Sequence, residues 1–238
     1  MPFPSGLQAV IFDMDGVLFD SERAVYDGWR ELAEKYGFKD LDTPYMQCIG
    51  VNAAICRRIF LDFYGPDFPY DAYTAERSRR YHEKYDHGNL PLKPGVTALL
   101  TTLRQAGIRT AVASSTRSGL VRDQIQEAGL LPFFDTLVGG DMVTRSKPDP
   151  EIFLEAAGRL GVPPGRCCVI EDSYNGILAA DRAGMAPVMV PDMLPPNEEM
   201  RRKARCILPS LEDVRTLFLD LQGLPAESQA EPLQKLLK

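Results

Sequence analysis

The chain has 238 residues, 45% hydrophobic and 25% charged, a balance that excludes a disordered or fibrous protein and is enough to bury a sizeable core. Its formal charge of −6 lacks the basic excess of a nucleic-acid binder, and the one dense basic run, Arg201-Arg202-Lys203, follows two glutamates as on a solvated helix face. The five cysteines form no CxxC pair and read as reduced thiols, while the start of the sequence lacks a basic signal region and no apolar run nears the ~20 residues of a membrane span, so a cytoplasmic protein is expected.

In chain order, Ala9–Phe12 reads as the first strand. At its end stand Asp13-Met14-Asp15-Gly16, two carboxylates at i and i+2 before a glycine turn. Ligands of open α/β sheets bind beyond the carboxyl ends of strands, so both carboxylates are expected at one site. An EF-hand is excluded, because its fifth, sixth and twelfth positions would be Val17, Leu18 and Ala24. From 21 to about 90 no strand is apparent. Helical patterns over 22–36, 53–64 and 72–85 form an insertion, and 88–95 is the hinge back.

Strands and helices then alternate. Val96, Leu99, Leu100 and Leu103 recur at helical spacing up to Gly107. A strand over 110–113 runs into Ser114-Ser115-Thr116 and a helix over about 117–128, where hydroxyls either cap the helix or bind an anion. After a strand over 136–138, Ser146-Lys147-Pro148-Asp149-Pro150 fixes a lysine before the helix of Phe153, Ala156, Ala157 and Leu160. A strand over 168–170 delivers Glu171-Asp172, with Ser173 placed to cap the next helix. Strands over 188–190 and, more weakly, 206–208 follow. Nearly continuous apolar strands separated by helices predict a doubly wound parallel α/β sheet, Rossmann-like, with an inserted helical unit. Two acidic strand ends in one sheet bring like charges together, which favours a bound cation, and oxygen donors suit Mg²⁺.

The order of DMDGV, the serine after VA, SKPDP and EDSxxG closely resembles the haloacid dehalogenase-like hydrolases, from Leu7 to about Leu219. It is similar to the subgroup with a helical cap after the first strand. The resemblance implies a core of 1–20 and 92–222, a cap of 21–91 and a tail of 223–238. It implies a Mg²⁺-dependent phosphatase of small phosphorylated metabolites, monomeric, with neither nucleic acid nor membrane as partner. Asp13 would be the nucleophile and Asp15 the acid and base. Ser114 and Lys147 would bind phosphate, and Asp13, the Asp15 carbonyl, Asp172 and Glu171 would serve the metal. Ser115, Arg117 and Asn52 are further candidates for substrate, as are Ile49 to Asn52 and Arg57 and Arg58 for reading the leaving group. Arg77, Arg79, Arg80, His82 and His87 read as solvated or hinge residues.

Within the family, a dehalogenase is disfavoured by the second aspartate. β-Phosphoglucomutase carries a cap histidine and arginine where this chain has Val25 and Ala53, which favours hydrolysis over mutase chemistry. A non-catalytic regulator that binds a phosphorylated ligand is the remaining alternative. It is disfavoured because every motif residue is intact.

Overall fold

The computed structural model describes residues 6–49, 53–86 and 88–222. Six parallel strands form one sheet: β1 Ala9–Phe12, β2 Arg109–Ala113, β3 Thr136–Val138, β4 Cys167–Glu171, β5 Ala186–Met189 and β6 Cys206–Ile207. Their order is β3-β2-β1-β4-β5-β6. The order reverses beside β1, so the crevice between β1 and β4 is where such a sheet opens to a ligand.

Along β1 the side chains alternate between two cores. Val10 and Phe12 pack with Leu99, Leu103, Val121 and Phe218. Ala9 and Ile11 pack with Phe153, Ala156, Leu160 and Ala180 on the other face. This is why the strand reads as one unbroken apolar run: both faces are covered. The covering helices are α5 Val96–Gln105, α6 Ser118–Glu127, α7 Glu151–Leu160, α8 Tyr174–Arg182, α9 Glu198–Lys203 and α10 Leu211–Gln222. Gly161 ends α7 at φ 65°, the left-handed conformation that glycine adopts without strain.

Four helices precede them: α1 Ser21–Tyr36, α2 Asp42–Cys48, α3 Ala53–Tyr64 and α4 Tyr70–Tyr85. They have their own apolar cluster around Trp29, Leu32, Tyr45, Phe60 and Tyr70. The Trp29 and Phe60 ring centroids are 4.7 Å apart. The chain leaves the sheet and returns to it side by side, since the Asp20 N–H donates to the Pro91 carbonyl at 2.9 Å. Lys93 pins the same crossing, reaching Asp20 at 3.2 Å and Asp192 at 2.7 Å.

Every predicted strand is present, with ends shifted by a residue or two. The segment over 42–48 was not expected to be helical. It is a short helix with Pro44 in its first turn, where the missing N–H has no helical partner to lose. The helix expected from 72 is α4 and starts at Tyr70, which is its buried anchor. The 223–238 tail lies outside the described residues. Among the described residues, no helix is long and apolar enough to cross a membrane.

Candidate active site

The sheet gathers the acidic and basic motif residues at the carboxyl ends of β1, β2 and β4. Asp13 follows β1, and its N–H donates to the Ile170 carbonyl at 3.0 Å, so its backbone continues the ladder. Lys147 arrives from the loop before α7. Its Nζ lies 2.5 Å from Asp13 Oδ1, 2.8 Å from Glu171 Oε1 and 3.1 Å from the Ala113 carbonyl. Three donors thus meet three acceptors on three neighbouring strands. The Lys147 side chain is 7% exposed. Burial alone would lower the pKa of its ammonium; Asp13 and Glu171 outweigh that and raise it.

Glu171 is fully engaged. Its second oxygen accepts from the Ser173 N–H at 2.7 Å, and Ser173 Oγ in turn accepts from the Gly176 N–H at 3.0 Å, capping α8. Asp172 stands over Gly16. That glycine has φ +78°, and a Cβ on it would come 2.8 Å from Asp172 Cγ, so the DMDG turn requires glycine both for conformation and for space.

One lysine faces three carboxylates. Burial pushes Asp13 up to about 8, helped by Glu171 and Asp15 and opposed by Lys147. Burial, Glu171 and Asp13 likewise push Asp172 well above the carboxylate range. Oxygens of Asp13, Glu171 and Asp172 lie within 4.8 Å of one another. An all-oxygen donor set with surplus negative charge fits Mg²⁺, which takes few protein ligands.

Ser114, 1% exposed, directly follows β2, and its Oγ accepts from the Thr116 N–H at 3.1 Å. Thr116 Oγ1 donates to Asp15 Oδ2 at 3.1 Å. Thr116 ties the β2 loop to the second aspartate, a link between residues far apart in sequence. The loop leading to Lys147 is held by Glu151, which accepts from the Thr144 N–H at 2.9 Å and the Arg145 N–H at 3.0 Å. The Thr144 backbone and hydroxyl hold the Glu151 carboxyl down to about 2. Because this pKa is depressed on folding, the contribution is present above the ordinary carboxylate value and lost as pH falls from about 4.5 through about 2. Glu151→Gln is therefore expected to destabilise the protein at pH 7 and to differ less from wild type near pH 3. Urea unfolding at the two pH values measures this.

On the helical side, a cavity of about 360 Å³ is lined by Glu22, Trp29, Tyr45, Cys48, Thr74 and Arg77 among others. Burial, Asp15 and Asp192 raise Glu22 to about 7 against the opposing charge of Arg77, so this acid lies within electrostatic reach of the strand-end carboxylates. Arg77 is a correction to its reading as a solvated residue. It shares a face of α4 with Tyr70 and Thr74, at i, i+4 and i+7, and lines the cavity with them. Arg57 instead pairs with Asp71 on the surface at 3.0 Å, and Arg58 is exposed. Ile49 lines the cavity, while Gly50, Val51 and Asn52 lie outside the described residues. Ser115 and Arg117 are exposed ahead of α6.

Sheet order and site together define a doubly wound α/β protein with a lysine-bridged acidic centre at its switch point. The sequence model of the haloacid dehalogenase-like hydrolases matches residues 7–184, and the chain belongs to that family. It is 34% identical over 181 residues to the phosphorylated carbohydrates phosphatase of Thermotoga maritima, covering 75% of this chain and 82% of that protein. It is 32% identical over 197 residues to the beta-phosphoglucomutase of Bacillus subtilis, covering 77% and 83%. A HAD family hydrolase from Deinococcus radiodurans R1, solved with bound phosphate and sodium, superposes with a TM-score of 0.78 at 27% identity, covering 92% of this chain and 98% of that one.

Proposed function

We propose that this protein is a phosphatase that hydrolyses small phosphate monoesters through an aspartyl-phosphate on Asp13. The observation that supports it most is the Lys147 ammonium between Asp13 and Glu171, with Asp172 alongside. A carboxylate attacks a phosphate dianion only where positive charge offsets the repulsion. Lys147 supplies one charge beside the attacking oxygen. Mg²⁺ held by Asp13, Asp172 and the Asp15 carbonyl would supply Lewis acidity at the phosphoryl oxygens. With both oxygens engaged, Glu171 chiefly orients Lys147.

An Asp13 oxygen forms the bond to phosphorus as the phosphorus–alkoxide bond breaks. Asp15 donates its proton to the departing oxygen. It later takes a proton from the water that opens the acyl phosphate, which restores both groups. Asp15 is aimed by Thr116, and Ser114 offers a hydroxyl to a phosphoryl oxygen. The α1–α4 helices act as a cap, excluding water and reading the leaving group. Hydrolysis is preferred over mutase chemistry because Val25 and Ala53, where the mutase has a histidine and an arginine, both present apolar surface to the cavity.

p-Nitrophenyl phosphate is expected to release nitrophenol with Mg²⁺ present and to slow at least ~10²-fold in EDTA, with recovery on adding Mg²⁺ back. Turnover indifferent to EDTA would remove the metal from the scheme. No phosphate release from any ester would remove the phosphatase.

A further inference from the structure

Resting on the phosphatase reading, the cavity among α1–α4 says something about the leaving group. Arg77 projects from α4 into it, beside Thr74. The other arginines of α4 are paired: Arg79 with Glu83, and Arg80 with Glu76 and Glu31. Arg77 has no salt bridge and no hydrogen bond among the described residues, and its Nε is a buried donor without a partner; the nearby Thr74 hydroxyl is buried too, against the Tyr70 side chain. The arginine is nevertheless positioned. Its stem packs over Gly28, where a Cβ would come 3.0 Å from Arg77 Cγ, and its guanidinium lies 5.9 Å from the Trp29 ring centroid.

A guanidinium Nε–H buried beside a cavity with no acceptor is costly unless something else supplies one. Glu22 lines the same cavity and feels the arginine's charge, yet no salt bridge closes between them. Neither Asp13, Ser114 nor Lys147 lines the cavity, which sets Arg77 apart from the residues gathered around the nucleophile. At about 30 Å³ per water the space holds roughly a dozen, the heavy-atom count of a six-carbon polyol.

We propose that Arg77, with Thr74 beside it, receives an oxyanion at the far end of the leaving group, so that the preferred substrates are phosphate esters whose alcohol carries a carboxylate or a second phosphate. A planar guanidinium with free N–H groups matches either anion in two-point fashion. The aromatic walls of Trp29 and Tyr45 accommodate the carbon chain between the two charged ends.

The test compares kcat/KM for esters differing only at the distal end: 6-phosphogluconate against sorbitol 6-phosphate, and 3-phosphoglycerate against glycerol 3-phosphate, with hexitol 1,6-bisphosphate as the second anion source. The acidic ester is expected to be favoured ~10- to 100-fold at one chain length or both, the range of a charge-assisted contact. Whichever anion is faster identifies its source. Arg77→Leu is expected to bring the ratio close to one, and Arg77→Lys, which keeps the charge but not the two-point geometry, to retain only part of it. Equal or inverted ratios in the wild-type protein at both lengths overturn the proposal, as does a preference that survives Arg77→Leu. p-Nitrophenyl phosphate run alongside separates the two readings. Its turnover without an acidic preference defeats the role of Arg77 alone, and its absence defeats the phosphatase.

Discussion

Asp13→Asn is expected to lower phosphate release at least ~10³-fold while leaving the protein folded. The amide keeps the shape of the carboxylate but is too weak a nucleophile to form the acyl phosphate, and removal of a nucleophile commonly costs this much or more. The fold tolerates the change for an electrostatic reason. Asp13 is among the residues most penalised by burial, and Glu171 and Asp15 add to the penalty. Neutralising it relieves that repulsion, while Lys147 keeps Glu171 at 2.8 Å and the Ala113 carbonyl at 3.1 Å. The melting temperature should therefore shift by only a few degrees, in contrast to a variant that removes the lysine and strands its carboxylates. Initial rates of phosphate release together with a thermal melt decide the matter. Residual activity above one per cent would move the nucleophile elsewhere, and an unfolded variant would contradict the electrostatic account.

The strands were legible because each is covered on both faces, which makes residues such as Ala9 to Phe12 and Cys167 to Ile170 uniformly apolar. Short motifs at strand ends were legible for the same reason: a polar residue directly after such a run has left the core. The partners were not legible from spacing. Lys147 lies 134 residues from Asp13 and 24 from Glu171; the parallel register of β1 and β4 sets Asp13 beside Glu171, and the loop before α7 carries Lys147 to both. Helix α2 escaped because seven residues containing a proline carry too little periodicity. Arg77 was misread because α4 is crowded with charges, and Asp71, Glu76, Arg79 and Lys84 mask the inward stripe of Tyr70, Thr74 and Arg77. A charge sharing a face with a buried aromatic was the available signal. The link from Thr116 to Asp15 joins residues 101 positions apart and left none.

Gly176→Ala should be among the most damaging single-methyl changes near the site. Gly176 sits in the first turn of α8, and a Cβ there would fall inside the Glu171 carboxylate. A flexible surface glutamate would swing away. Glu171 is 1% exposed, with one oxygen on Lys147 and the other on the Ser173 N–H, so it has no second place to go. Either α8 lifts from β4, at an overpacking cost of roughly 1–3 kcal/mol, or Glu171 leaves Lys147 and a buried charge pair is broken, at about 3–5 kcal/mol. The gain in helix propensity from glycine to alanine offsets at most about 1 kcal/mol. The cheaper route still displaces the lysine or the start of α8, so activity should fall with stability, by ~10-fold or more, and the melting temperature by several degrees. Gly158→Ala is the control. It lies on the exposed side of α7 with nothing within 4 Å of the new methyl, and should stabilise by roughly 0.5–1 kcal/mol. Parallel melts and phosphate-release rates for the two variants provide the comparison. A Gly176→Ala protein as stable and active as wild type would mean that Glu171 is not held between Lys147 and Ser173, and that the lysine is positioned by something else.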